Sequence, residues 1–266
     1  MYRYCVLSIP RTGSTWLTNG IGNTCGYFKD FINLGEFFTP LGNSKTSYHI
    51  NEEGMINSVT EEEVIKEPNF TDFVSRRLDK ILKGNTSQPL VLKYMYWTRY
   101  DKDINDLENL QKIKNHNIKI VNINRNTFDS TVSMLVAETT GINHRWINPR
   151  REWWTTDAGP VDEISTPKII ISPLDFEITY LQFVQNNLEK ERMANLLDCV
   201  TVNYDSLRMD CYKNKIPFQG VSRSKKVYDV DYNTIVENYD ELLDVKNKLD
   251  GTWSQGSVGI MRTKEL

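Results

Sequence analysis

Cys5 to Ile9 (C-V-L-S-I) is an apolar run of strand length, and Pro10 and Gly13 interrupt it with turn chemistry. From Ser14 onward, Trp16, Leu17, Gly20 and Ile21 recur at helical spacing. A strand, a tight loop and a helix in that order form the unit from which parallel α/β sheets are built. The same geometry collects backbone N–H groups at a helix N-terminus, where they can hold an anion. Arg11, Ser14 and Thr15 add a cation and two hydroxyls at that point. An ordinary βα turn uses the same small residues. The stretch matches neither G-x-x-x-x-G-K-[ST], because the Gly-Lys pair is missing, nor the dinucleotide fingerprint G-x-G-x-x-G.

The strand and helix signals then repeat. Pro89 to Trp97 (P-L-V-L-K-Y-M-Y-W) is a strand with Lys93 inside it, and a lysine there needs a partner, a cleft or an exposed strand end. Asn105 to Lys114 reads as a helix, and Ile118 to Ile123 as a strand with Arg125 just past its end. Ligands of open parallel sheets sit beyond the carboxyl ends of strands. Thr127 offers an N-cap for a helix to about Thr139, on which Ser133 follows Arg125 by eight positions. Lys168 to Ile171 reads as a compact strand, and Ser172-Pro173-Leu174-Asp175 opens a helix to about Leu197. Cys199 to Val202 is another strand, and Tyr232 to Leu249 the last helix. This alternation predicts an α/β chain with a central parallel sheet flanked by helices. No repeat, linker or low-complexity tract divides it, so residues 1–266 read as a single domain.

The intervening segments are polar or aromatic. Gly26 to Phe38 carries Glu36 among Phe31, Leu34, Phe37 and Phe38, where partial desolvation raises a carboxylate towards the range of a general base. A solvent-facing loop glutamate suits the same pattern. Thr39 to Asn69 has little periodicity and reads as a surface excursion, and Asn69 to Leu82 as an amphipathic helix. Gly141 to Pro160 is a loop-like run with three Trp and three Arg, suited to sugar rings and anionic groups or to holding down a neighbouring loop. Ser222 to Lys226 is a small basic cluster.

A net charge of −3 argues against a nucleic-acid partner. The four cysteines, Cys5, Cys25, Cys199 and Cys211, lack metal-ligand spacing and read as buried thiols of a reducing compartment. No stretch reaches the length of a membrane span and no apolar signal region precedes the first strand, so a cytoplasmic location without membrane contact is expected.

Three motifs converge on one family. Pro10 to Leu17 (P-R-T-G-S-T-W-L) resembles the 5′-phosphosulfate loop of the sulfotransferases that use 3′-phosphoadenosine 5′-phosphosulfate (PAPS). Arg125 to Ser133 (R-N-T-F-D-S-T-V-S) is similar to the family's 3′-phosphate element, an Arg and a Ser eight residues later. Val202 to Leu207 (V-N-Y-D-S-L) resembles a later strand-to-helix segment, V-x-Y-E-x-L. The Arg form of the loop and G-E-F-F at Gly35 to Phe38 look closest to bacterial carbohydrate sulfotransferases of the trehalose-modifying type, whose K-x-M-W segment resembles Lys93-Tyr-Met-Tyr-Trp97. The extra Tyr96 departs from that segment, and none of His49, His116 and His144 stands where cytosolic small-molecule members place a catalytic His.

The resemblance implies a three-layer P-loop-like fold and sulfuryl transfer from PAPS, leaving PAP, to a hydroxyl of a small-molecule or carbohydrate acceptor, without a metal. The loop residues Arg11, Thr12, Gly13, Ser14, Thr15 and Trp16 are then expected at the 5′ end of PAPS, and Arg125 and Ser133 at its 3′-phosphate. Arg11 stabilises the departing phosphate, Glu36 takes the acceptor proton and Lys93 helps hold acceptor or sulfuryl oxygens. Trp153, Trp154, Tyr94 and Trp97 are expected to wall the acceptor. Two other classes stay open: a P-loop kinase-like phosphotransferase and a non-catalytic PAPS-binding module.

Overall fold

The computed structural model describes residues 2–25, 32–33, 47–50, 56–59, 79, 89–96, 106–140, 145–147, 153–155, 159–160, 168–219, 224–225 and 231–254. They fall into two compact units: residues 1–125 with 185–223, and residues 126–184 with 224–266.

The first unit is built on a five-stranded sheet in the order β10-β6-β1-β5-β2, parallel throughout. Its strands are β1 (Arg3–Ser8), β2 (Ile32–Asn33), β5 (Leu90–Met95), β6 (Lys119–Asn124) and β10 (Val200–Asn203). β1 lies at the centre, with Ser8 opposite Met95 on one side and Leu7 opposite Asn122 on the other. Its residues alternate between two cores, as the two-residue repeat of a strand requires. Tyr4 and Val6 pack with Val91 and Val121 against Leu17 and Ile21 of α1 (Ser14–Cys25). Cys5 and Leu7 pack with Leu92 and Ile120 against Leu110 and Ile113 of α2 (Asp106–Asn115). A strand buried on both faces reads as a continuous apolar run, which is why β1, β5 and β6 stand out in the sequence. A hairpin of β3 (Ser47–Ile50) and β4 (Ile56–Val59) pairs Ile50 with Ile56 inside the stretch read as an excursion without periodicity.

In the second unit, α3 (Thr127–Thr140) starts at the residue expected to cap it, one position earlier than the sequence suggests. Asn126 is the capping residue: its side-chain oxygen accepts from the N–H groups of Phe128 (2.9 Å) and Asp129 (3.4 Å). The expected start of the next helix holds, with the Ser172 hydroxyl accepting from the Asp175 N–H at 3.3 Å. That helix, α4 (Pro173–Leu196), contributes residues 173–184 to this unit and the remainder to the first.

Three expectations are corrected here. The stretch Gly141 to Pro160 contains strands rather than loop alone: β7 (Arg145–Ile147), β8 (Trp153–Thr155) and β9 (Gly159–Pro160) form an antiparallel sheet with β11 (Ser224–Lys225). Aromatic and β-branched residues favour the pleated surface, but runs of three are too short to show a strand period. Pro160 is tolerated because β9 is an edge strand. Lys168 to Ile171 is not a strand but makes one parallel bridge, Ile169 to Val236. That bridge also divides the last helix into α6 (Tyr232–Ile235) and α7 (Tyr239–Ser254). Val236 is extended (ψ 110°), and Asn238 then closes both backbone groups of Ile171, accepting from its N–H at 3.1 Å and donating to its oxygen at 2.8 Å. The remaining helix, α5 (Leu207–Lys213), belongs to the first unit. Among the described residues, no helix is long and apolar enough to cross a membrane.

Candidate functional site

The loop between β1 and α1 takes two left-handed backbone positions, Arg11 at φ 63° and Gly13 at φ 82°. Glycine adopts that region freely, whereas for arginine it is uncommon and held only by surrounding contacts. Those contacts are present. The Thr12 hydroxyl donates to the Ile9 oxygen at 2.9 Å, and the Arg125 guanidinium donates to the Arg11 oxygen at 2.8 Å. The Leu17 N–H reaches the Gly13 oxygen at 3.0 Å, so the helix begins immediately after the loop. Gly13 is required for a second reason: a Cβ there would lie 2.3 Å from Cδ2 of Tyr204.

Lys93 is buried, 3% exposed, on β5. Val91 belongs to the core on the α1 side, while Leu92 and Tyr94 belong to the opposite core, so Lys93 faces α1. Its ammonium donates to the Thr15 hydroxyl in the first turn of α1, at 3.1 Å. Of the alternatives for this lysine, the strand-end exposure is excluded and a partner is found. α1 and α2, which follow β1 and β5, lie on opposite faces of the sheet. Neighbouring strands whose helices leave to opposite sides open a crevice at their carboxyl ends, and the loop occupies that position.

Arg125 also lies over the Tyr204 ring, with its guanidinium carbon 4.6 Å from the ring centre. Tyr204 is fixed by its N–H on the Asn124 oxygen (2.7 Å) and by an edge contact with Trp16 (5.7 Å between centroids). The loop, β5, β6 and the end of β10 therefore bring Arg11, Thr15, Trp16, Lys93, Arg125 and Tyr204 to one edge of the sheet. Cations, hydroxyls and helix-start N–H groups form a donor-rich arrangement, suited to a multiply charged anion. Thr12 is buried, and its hydroxyl is engaged inside the loop rather than turned to a ligand.

Beneath this edge is a residue the sequence did not mark. Lys190 of α4 is wholly buried and donates to the Ile123 oxygen (2.8 Å) and the Asn124 side-chain oxygen (2.6 Å), fastening the end of β6 next to Arg125. Burial lowers its pKa to about 8, opposed by the Glu191 carboxylate 3.5 Å away. Its segment, Q-N-N-L-E-K-E-R, is polar on every side and carries no signal that one lysine turns inward.

Ser133 lies in the second unit, on α3, where it is 8% exposed and its hydroxyl accepts from that of Tyr232 at 2.9 Å. Tyr94 does not fit its expected place in an acceptor wall. It is 2% exposed within the α2-side core, and its hydroxyl donates to Asp106 at 2.5 Å. The alternation of β5 sends Tyr94 to the face opposite Lys93. Glu36 and Trp97 lie outside the described residues, as do the side chains of Trp153 and Trp154, whose backbone forms β8.

No protein-family model matches the chain, and no curated protein sequence matches it.

Proposed function

We propose that this chain is a PAPS-dependent sulfotransferase, which moves a sulfuryl group by in-line transfer to a hydroxyl of a small-molecule or carbohydrate acceptor on a P-loop-like scaffold. The observation that carries the reading is the double tether on the β1–α1 loop. Lys93 holds Thr15 and Arg125 holds Arg11, so two cations from the strands on either side of β1 meet a loop that carries a third. The motif order in the sequence supports the same reading. The donor set fits a phosphosulfate at the loop, because every group it offers there is a cation or a hydrogen-bond donor.

PAPS supplies the activated sulfuryl group. In this reading the loop N–H groups, Ser14 and Thr15 bind the 5′-phosphosulfate, and Arg11 stabilises the charge that grows on the departing phosphate. Lys93, held at Thr15, neutralises charge on the sulfuryl oxygens. Trp16 borders the nucleotide side. Arg125 binds the 3′-phosphate, and Glu36 takes the proton of the acceptor hydroxyl. Fixed cations and loop dipoles carry the electrostatic work of such a loose transfer, in which positioning matters more than covalent chemistry.

Mass spectrometry of a mixed carbohydrate and small-hydroxyl pool incubated with PAPS tests the reading. Sulfated products that disappear with Lys93→Met are expected. Phosphorylated products formed with ATP and magnesium, with PAPS inert, would establish a kinase instead.

A further inference from the structure

We infer that Lys190 is a positioning residue for Arg125, its buried ammonium holding the end of β6 so that the guanidinium is aimed at the β1–α1 loop and at the 3′-phosphate of the nucleotide. The inference rests on the PAPS reading, with Arg125 at that phosphate, and every residue it uses lies in the first unit. Lys190 precedes Met193 and Ala194 by three and four positions on α4. Those two belong to the α2-side core, so the lysine shares their face towards the sheet. Its ammonium donates to the Ile123 oxygen at 2.8 Å and to the Asn124 side-chain oxygen at 2.6 Å. Glu191, the next residue, accepts from the Asn122 side-chain amide at 2.8 Å. Two adjacent helical residues thus hold three successive residues of β6.

The end of β6 needs such a hold. Its register with β1 stops at Leu7 opposite Asn122, two residues before the strand ends. A buried carbonyl left without a partner is costly, and beyond that point the lysine supplies one to the Ile123 oxygen. The Asn124 oxygen accepts from the Tyr204 N–H at 2.7 Å, so Asn124 is held through side chain and backbone at once. Arg125 follows directly. Its guanidinium reaches the Arg11 oxygen at 2.8 Å and lies 4.6 Å from the centre of the Tyr204 ring. The bonds from the wholly buried ammonium therefore set the point from which the arginine side chain starts.

The test is calorimetric titration of the full chain with PAP and, separately, with adenosine 5′-phosphosulfate, which lacks the 3′-phosphate. Wild type, Lys190→Met, Asn124→Ala, Arg125→Ala and the double variant Lys190→Met with Arg125→Ala are compared. Lys190→Met keeps the stem and removes the ammonium, and should weaken PAP by roughly three- to ten-fold but adenosine 5′-phosphosulfate by less than about two-fold. In the Arg125→Ala background the same change should cost PAP nothing further, because the group it positions is gone. Asn124→Ala leaves the lysine and its bond to Ile123, should show the same unequal loss on a smaller scale, and decides the matter should Lys190→Met not fold. Equal losses for both ligands, or a further loss of PAP in the Arg125→Ala background, would mean a general or purely electrostatic effect and overturn the inference. Unchanged PAP affinity in Lys190→Met or Asn124→Ala, beside a clear loss in Arg125→Ala, would overturn the role of Lys190 and leave the function standing. PAP affinity unaffected by Arg125→Ala would overturn the 3′-phosphate assignment itself.

Discussion

The guanidinium of Arg125, one residue past the end of β6, donates to the backbone oxygen of Arg11 at 2.8 Å and so fixes a residue in the left-handed region. A trans peptide points its N–H away from its C=O, so holding that oxygen also aims the Thr12 N–H on the other side of the same plane. Arg125 thus acts on the loop as well as on any anion it meets.

Arg125→Ala should weaken PAP by roughly ten-fold or more, the usual scale for a charged hydrogen-bonded contact. Adenosine 5′-phosphosulfate should lose less, because only the tether on Arg11 is missing for it. Calorimetry with both ligands measures the difference. Equal losses would reduce Arg125 to a loop brace.

Lys93→Met keeps the stem and removes the ammonium that holds Thr15. PAP affinity should fall by about ten-fold or more, while the melting temperature changes little, since a buried lysine exchanged for an apolar chain of similar shape relieves its desolvation cost. Lys93→Arg should not rescue binding, because the larger guanidinium has no room in a site only 3% exposed. An arginine variant with wild-type affinity would show that charge alone suffices.

At Gly13 both backbone angle and space forbid a side chain, with φ at 82° and Tyr204 in the place of a Cβ. Gly13→Ala should destabilise by about 1–3 kcal/mol in chemical unfolding. Adding Tyr204→Ala should recover only part of that loss, because the strained angle persists. Full recovery would mean that crowding, and not conformation, selects the glycine.

How much of this was legible in the sequence follows from burial. β1, β5 and β6 are covered on both faces and announce themselves as apolar runs, and Ser172 with Asp175 announces its helix by capping chemistry. The loop and Arg125 were legible because turn residues and strand ends are positions where side chains serve ligands. Lys190 was not, since its buried partners, the Ile123 oxygen and Asn124, come from a strand 66 or 67 residues away. The break at Val236 was hidden for the same reason, as the pairing with Ile169 overrides a locally helical pattern. Tyr94 was misplaced because an aromatic residue looks the same on either face of a strand until the register of the neighbours is known.

Asp106 predicts a pH dependence. Burial raises its carboxyl to about 6, partly opposed by the hydrogen bond from Tyr94. The folded chain then binds the proton more tightly than the unfolded one, whose carboxyl titrates at about 4. Stability from this group is complete at low pH and is lost as pH rises through about 6. Urea midpoints for wild type should show this downward term across that window, and Asp106→Asn should remove it. An identical pH profile in the variant would place the titration elsewhere.

Comparative titration of PAP, adenosine 5′-phosphate and ATP with magnesium into the full chain bears most directly on the central claim. PAP should bind at least about ten-fold more tightly than adenosine 5′-phosphate, as a second charged contact at the 3′ position requires, and magnesium should not be needed. ATP bound more tightly than PAP, and only with magnesium, would contradict the account.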